Sequence, residues 1–446
     1  MKVLLLVAGK SERFWPLSDK SLFPVCGKSP LEWQIDRLKQ AGCTNITVVA
    51  GPHNKEKTKA LVPGMEVLLQ EDMSLGTRGA LLSALPHLNK EPIMVVSGND
   101  LVDSSAYKDV LDAAGKPGVD GVFLAKHMEN YFPGGYLTMK GDHILDIVEK
   151  PGEGNEPSNL VNIIVHVHND YDALLASLET IIDPQGDGYS QAEQTLLKEK
   201  HYVAVTYRGG WLALKYPWYM LSAMEELMKT VIESRIHPTA QIHPSAIIEG
   251  AVHIAEGVVI EPLAIIHGPT TIGKHSTIGN HSIVRSASIG AHCTIGSRSE
   301  IKGSVLADYV KTHGSYVGDS IIGENVNLAT GCVLGNLRFD DREVHSMVGG
   351  KKIGTGRRKF GSAIGNDARI GMQVCTNPGI KIGRNVFVSG GATLADDIPD
   401  GMFVTMQNGE VSMTPNLTRA PHHKETLKEK DKSSTPPRVR HDKDKN

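Results

Sequence analysis

Residues 236–284 read IHPTAQIHPSAIIEGAVHIAEGVVIEPLAIIHGPTTIGKHSTIGNHSIV, and an aliphatic side chain returns every six positions, at Ile236, Ile242, Ile248, Ile254, Ile260, Ile266, Ile272, Ile278 and Val284. A helix repeats its face at 3.6 residues and a plain strand at 2, so neither sets one apolar anchor in six; a parallel β-helix of hexapeptide turns does. The period slips by one at Ile289, continues at Ile295 and Ile301, returns as Ile322, Leu328 and Leu334, and returns again as Ile364, Ile370, Thr376, Ile382, Val388 and Leu394. Between Arg338 and Gly361 the chain is basic and glycine-rich (VGGKKIGTGRRKFG), which predicts a loop leaving the coil. An aromatic content of 5% suits a narrow prism filled by branched aliphatics, since bulky rings would strain such coils.

Upstream the pattern is different. VLLLVA, SPLEWQIDRLKQAG, ITVVAG, a helix-like stretch and PIMVVSG alternate apolar runs with helical periodicity, which predicts βαβ units and a mostly parallel sheet with helices on its faces. The 446 residues therefore divide into two main bodies. An α/β domain spans 1–225, the end of a linking helix 226–235 (within PWYMLSAMEELMKTVIES), and a β-helix 236–415. A charged tail over 416–446 (KETLKEKDKSSTPPRVRHDKDKN) lacks apolar periodicity and is expected to be disordered and solvated. Hydrophobic residues at 40% and charged residues at 22% are ordinary for a globular chain, and a net charge of -3 excludes a global attraction to nucleic acid or acidic membrane. The five cysteines are odd in number and without a CxxC pair, so neither a disulfide framework nor a zinc site is indicated. The opening apolar run is too short for a signal peptide or membrane span, and a cytoplasmic location is expected.

In the front half VLLLVAGKSERFWPLSDK places a buried strand before a loop containing Gly9, with Arg13 and Lys20 following. Backbone amides of such a loop can face phosphate oxygens, and a guanidinium and an ammonium can neutralise charge on an attacked triphosphate. By itself a loop glycine beside two surface cations is more often structural. This stretch, however, resembles the GxGTR…PK opening of the sugar-phosphate nucleotidylyltransferases, and LFPVCGKSPLEW resembles their PVxGKPLLE signature. The resemblance extends over residues 1 to about 225. It implies that Gln70, Gly76 and Thr77 read the nucleobase, that SGNDLVD carries the Mg²⁺ carboxylate as Asp100, and that Gly135, Glu149 (VEKP) and Asn162 (LVN) line the sugar pocket. WLALKYPWYML resembles the closing W-x-D-x-G-x-P-W-D segment. Departures fall on the chemistry: Ser11 and Glu12 replace the second glycine and the threonine, Asn99 stands where the aspartate should, and Ala213 replaces a second metal-supporting aspartate. A one-residue shift in a strand would turn Asp100 to the opposite face.

In the rear half THGSYVGDSIIGENVNLATGCVLGN resembles the acetyltransferase core of the bifunctional N-acetylglucosamine-1-phosphate uridylyltransferase/glucosamine-1-phosphate acetyltransferase family, and NLRFDDREV and GTGRRKFG resemble its archaeal members. The likeness implies His313 as general base, Arg285, Lys302 (in EIK with Glu300), Tyr316 and Asn327 on the sugar phosphate, and Asn336 at the amine or acetyl group. The chemistry fits these residue types: the attacking amine must lose a proton, which a histidine can accept near neutrality, and the thioester needs no covalent enzyme intermediate. Ala329, Thr330 and Leu337 depart from the family's residues around the acetyl group. The fold class implied is a Rossmann-like nucleotidyltransferase domain followed by a left-handed parallel β-helix. The partners implied are Mg²⁺, UTP, acetyl-CoA and an amino-sugar 1-phosphate, in a homotrimer with acyl-CoA between neighbouring prisms. Three rivals stay open at this level: a single-activity thymidylyl-, uridylyl- or guanylyltransferase whose β-helix only assembles it, an acetyltransferase with a degenerate front domain, and a regulatory subunit with degenerate sites.

Overall fold

The computed structural model describes residues 1–182 and 188–421, so most of the charged tail lies outside the described residues. The chain falls into two units: Met1–Ser234 with Pro269–Thr271 and Val348–Lys351, and the remainder from Arg235 onward.

In the front unit Lys2–Leu6 is the third strand of a nine-stranded sheet, flanked in parallel by Ile46–Ala50 and Ile93–Ser97, with Glu66–Leu69 parallel at the edge. Val3, Leu4 and Leu5 are all buried, as a strand covered on both faces requires. Beyond Ile93–Ser97 the expected parallel arrangement gives way to a mixed one. Leu160–His168 runs antiparallel to both Ile93–Ser97 and Gly121–His127, Tyr202–Thr206 runs parallel to the latter, and Gly135–Lys140 pairs antiparallel with His143–Glu149. The last two strands are joined by residues 141–142 alone, too short a connection for a parallel crossover. Helix Pro30–Gln40 starts at a capping box in which Ser29 and Glu32 satisfy each other's backbone amides, and it buries Leu31, Ile35 and Leu38 on one side. The helix expected over 217–234 is shorter, Tyr219–Met228, and residues 229–234 are turn and irregular chain leading to Arg235–Ile236.

The rear unit is a parallel β-helix with three faces of short strands, starting at Arg235–Ile236, Gln241–Ile242 and Ile247–Glu249. Each anchor stacks on its counterpart one rung above: Ile236 on Ile254, Ile242 on Ile260, Ile248 on Ile266. Corners are made in the left-handed backbone region, which is where many of the histidines are spent: His275, His281 and His292 have φ of 55°, 57° and 55°. The coil does not pause between Ile301 and Ile322, where the six-residue period is lost. Leu306, Thr312 and Val317 keep pointing inward, in register with Ile289, Ile295 and Ile301, because some turns there hold five residues. That tightened rung carries His313 and Tyr316. The predicted excursion is a loop with a two-stranded hairpin, His345–Val348 with Lys351–Gly354. An antiparallel hairpin, Met402–Gln407 with Glu410–Pro415, ends the second face.

Candidate active sites

The front site lies where the parallel strands end, the usual position for ligands in such sheets. The Gly98 amide donates to the Leu6 carbonyl at 2.8 Å, and a side chain at 98 would sit 2.5 Å from Val7 Cγ1, so these two strand ends approach this closely only with glycine there. Asn54, buried, staples the loop: its amide donates to Val7 O at 2.9 Å and to Asp19 Oδ2 at 2.7 Å while its oxygen accepts from Gly51 N at 2.9 Å. Ser11 adopts φ 56°, the left-handed conformation for which the resembling family uses glycine, and its hydroxyl accepts from Lys20 N at 3.4 Å. Glu12 and Arg13 are exposed on the short helical turn Glu12–Phe14.

Arg13, Lys20 and Asp100 do come together, and the group gains a member that the motif did not announce, Lys215. Burial lowers Lys20 to about 8 against the pull of Asp100, with Arg13 lowering it further and Asp19 raising it. Lys215 is likewise lowered to about 8 by burial, with Asp100 raising it and Arg13 and Lys150 lowering it. Burial pushes the Asp100 carboxyl above its ordinary range, opposed by hydrogen bonds from Trp211 and Ser97 and by the charges of Lys20 and Lys215. The expectation that a one-residue shift would turn Asp100 away is corrected here. Residues 98–99 are a turn, so strand alternation does not carry across them, and Asp100 opens a new two-residue strand paired with Leu212–Ala213. Asn99 instead accepts from Ser21 Oγ at 3.1 Å. Gln34, buried on helix Pro30–Gln40, donates to the carbonyls of Ser97 at 2.8 Å and Asp100 at 2.7 Å and so fixes this turn; nothing in the motif pointed to it.

The donor set does not suit the Mg²⁺ that the resemblance implied. Asp100 Oδ1 takes the Trp211 indole N–H at 2.9 Å, Ala213 opposite it offers no oxygen, and Glu149 pairs with Lys150 at 2.8 Å. Mg²⁺ is held by one or two carboxylates with water and substrate phosphates, and the one carboxylate here already takes an indole N–H and feels the charges of Lys20 and Lys215.

Gln70 is buried, and its amide nitrogen donates to the carbonyls of Asp72 and Gly76, both at 2.9 Å, so it braces the loop that leads into helix Gly76–Ala84. Thr77 lies in the first turn of that helix. Gly135 pairs with Glu149, and a side chain at 135 would lie 3.0 Å from Glu149 Oε2. Asn162 Oδ1, half-buried, lies 2.9 Å from His166 Nε2, and His166 Nδ1 lies 2.6 Å from Glu193 Oε1, a buried pair that sequence reasoning missed. His166 and His168 stand two apart on one strand and read from sequence only as strand alternation.

In the rear unit the third face collects most of the candidates. Register stacks Arg285 on Lys302 on Gly318, and Glu300 on Tyr316. Arg285 pairs with Glu300, Lys302 Nζ lies 3.7 Å from Asp319 Oδ2, and Asn336 Nδ2 donates to Asp319 Oδ2 at 2.5 Å and to the Tyr316 hydroxyl at 3.3 Å. Glycine at 318 makes this possible, since a Cβ there would meet Asn336 Nδ2 at 2.6 Å and Tyr316 OH at 2.7 Å. Asp319, nine-tenths buried at φ 47°, is the residue the motif did not single out; only its place after Gly318 on a corner could have marked it. His313 is exposed at the corner between the second and third faces, directly after Lys311–Thr312. Asn327 begins the strand above Lys311 on the second face, apart from the Lys302–Asn336 group.

A nucleotidyltransferase sheet with cations at its strand ends, joined in one chain to a β-helix bearing a histidine corner beside a cationic face, defines a two-part transferase. Residues 3–236 match the MobA-like NTP transferase domain, and residues 231–339 the GMPPB C-terminal domain. The chain is 32% identical over 411 residues to a bifunctional sugar-1-phosphate nucleotidylyltransferase/acetyltransferase of Sulfurisphaera tokodaii, covering 90% of this chain and 99% of that one. It is 35% identical over 416 residues to the bifunctional protein GlmU of Methanococcus maripaludis strain C7 (91% and 97% covered) and 31% identical over 422 residues to that of Methanocaldococcus jannaschii (91% and 97%). The chain belongs to the family of bifunctional sugar-1-phosphate nucleotidylyltransferase/acetyltransferases. Among the described residues no helix is long and apolar enough to cross a membrane.

Proposed function

We propose that the rear unit transfers acetyl from acetyl-CoA to glucosamine 1-phosphate and that the front unit transfers uridylyl from UTP to the resulting N-acetylglucosamine 1-phosphate. The observation that carries the reading is the third-face group in which Lys302 and Asn336 meet Asp319, Asn336 also meets Tyr316, and Arg285 lies one rung below Lys302, on the face that follows the His313 corner. Fixed guanidinium and ammonium groups suit a sugar phosphate. His313 accepts the proton as the sugar nitrogen forms its bond to the acetyl carbon, and the C–S bond breaks with the electron pair leaving on coenzyme A sulfur. Asp319 holds the Asn336 amide in place through its 2.5 Å hydrogen bond, orienting it toward the amine or acetyl group.

We further propose a homotrimer. His313 on a corner and Asn327 on the second face then meet a neighbouring prism's surface, with acetyl-CoA lying in the groove between them.

In the front unit the sugar phosphate oxygen attacks the α-phosphorus in line and pyrophosphate leaves with the bond pair. Arg13 and Lys20 neutralise the phosphates, Gln70 holds the loop that meets the base, and Glu149 with Asn162 meets the sugar.

Two incubations test the reading. Acetyl-CoA with glucosamine 1-phosphate is to release free thiol, and UTP with N-acetylglucosamine 1-phosphate is to release pyrophosphate. Thiol release that survives His313→Ala unchanged refutes His313 as the base, and pyrophosphate release with no thiol release from the parent favours the single-activity rival. Retained partner-protein binding without either product favours the regulatory one.

A further inference from the structure

Ala213 and Lys215 depart together from the W-x-D-x-G-x-P-W-D pattern: an acid is missing and, two residues on, a lysine stands at the glycine position. The structure shows what the exchange does. Ala213 lies directly across the ladder from Asp100, so no second side-chain carboxylate stands there. The Lys215 ammonium is held in place, 3.0 Å from the Pro133 carbonyl and 3.7 Å over the Phe132 ring, whose other neighbour at 4.6 Å is Trp211. Trp211 in turn gives its indole N–H to Asp100. One aromatic and hydrogen-bonded chain thus fixes both the lysine and the carboxylate, and Lys215 interacts electrostatically with Asp100, Arg13, Lys150 and Glu149. With Lys150 paired to Glu149, the charges acting there are Arg13, Lys20 and Lys215 against Asp100 and, beside Lys20, Asp19, which leaves an excess of positive charge. Such a pocket attracts phosphate oxygens and repels a free divalent cation.

We propose that Lys215 is the resident cation of the front site, taking the place of a protein-bound divalent metal. The inference rests on the reading of this half as a nucleotidyltransferase. Its ammonium stays protonated through the step: the sugar phosphate oxygen forms its bond to the α-phosphorus, the bond to the bridging oxygen breaks, and pyrophosphate carries away the electron pair. No proton or additional reactant is required.

The test uses the full chain in two arms. In the first, Mn²⁺ alone is titrated against the protein and followed by electron paramagnetic resonance. The parent is to leave the ion free, and the double variant Ala213→Asp, Lys215→Gly is to bind it. In the second, pyrophosphate release is measured in Mg²⁺ and in excess EDTA. The parent is to keep turning over in EDTA, Lys215→Ala is to lose roughly 10²–10³-fold there, and Lys215→Arg is to recover part of the loss. Circular dichroism and thermal melting of the full chain report that each variant is folded. Mn²⁺ binding by the parent that disappears in Asp100→Asn overturns the proposal, as does parent turnover that stops in EDTA while Lys215→Ala matches it throughout. A parent that releases no pyrophosphate in either condition sinks the nucleotidyltransferase reading instead, and the Mn²⁺ arm still decides whether the lysine has displaced the metal.

Discussion

Gly318→Ala would place a methyl carbon 2.6 Å from Asn336 Nδ2, 2.7 Å from the Tyr316 hydroxyl and 2.8 Å from Tyr316 Cε1. Ordinary contacts begin near 3.5 Å, so both polar tips must retreat by roughly 0.8–0.9 Å. The obstacles are side-chain ends, and Gly318 is not among the residues at positive φ, so the coil itself is expected to remain folded. The retreat breaks the arrangement in which Asn336 reaches both Asp319 and Tyr316. A displacement of about 1 Å at a positioning group costs on the order of 100-fold, so kcat/KM for acetyl transfer should fall by about that factor. Thiol release from acetyl-CoA measures it, and pyrophosphate release by the front unit serves as an internal control that should not move. Acetyl transfer indistinguishable from the parent would refute the reasoning, because it would mean that Tyr316 and Asn336 need not lie over the Gly318 backbone.

His313→Ala should lower acetyl transfer by about 10²–10⁴-fold while pyrophosphate release continues, which the same two assays measure. Ser11→Gly relieves a left-handed serine and should stabilise the front unit by about 1 kcal/mol, less whatever its hydroxyl contributes; calorimetry should show the melting temperature rising by about 2–4 °C, and a fall would mean the hydroxyl outweighs the strain. Lys20 and Lys215 titrate near 8, so nucleotidyl transfer should be full below that pH and decline above it as the ammoniums are lost. Stability should move the other way. Folding lowers both groups from 10.5, so between about 8 and 10.5 the unfolded chain holds more protons and these lysines make the native state more stable as pH rises. A pH–rate profile alongside denaturant melts at pH 7 and pH 9.5 separates the two trends.

The β-helix was legible because its determinant is local. One aliphatic in six is enforced turn by turn, and each anchor needs only its counterpart on the next rung, as Ile242 needs Ile260. The front half's alternation and helix Pro30–Gln40 were legible for the same reason: a buried strand and a capping box are written in consecutive residues. Arg13 and Lys20, which follow the Gly9 loop closely, and His313, inside one continuous stretch, could be named as candidates from chain order alone.

What the chain order could not say was which distant residues share a surface. The lost six-residue period after Ile301 looked like a gap, yet five-residue turns keep the coil going and bring Asp319 beneath Asn336 and beside Lys302. Asp100 could be placed only once the 98–99 turn was seen to reset strand alternation, and Trp211, Ala213 and Lys215 reach it across more than a hundred residues. Apolar periodicity records which side chains leave water, a property each segment carries by itself. Charges and hydrogen bonds act over a few ångströms between segments, so their pairing exists only after the sheet and the coil have closed.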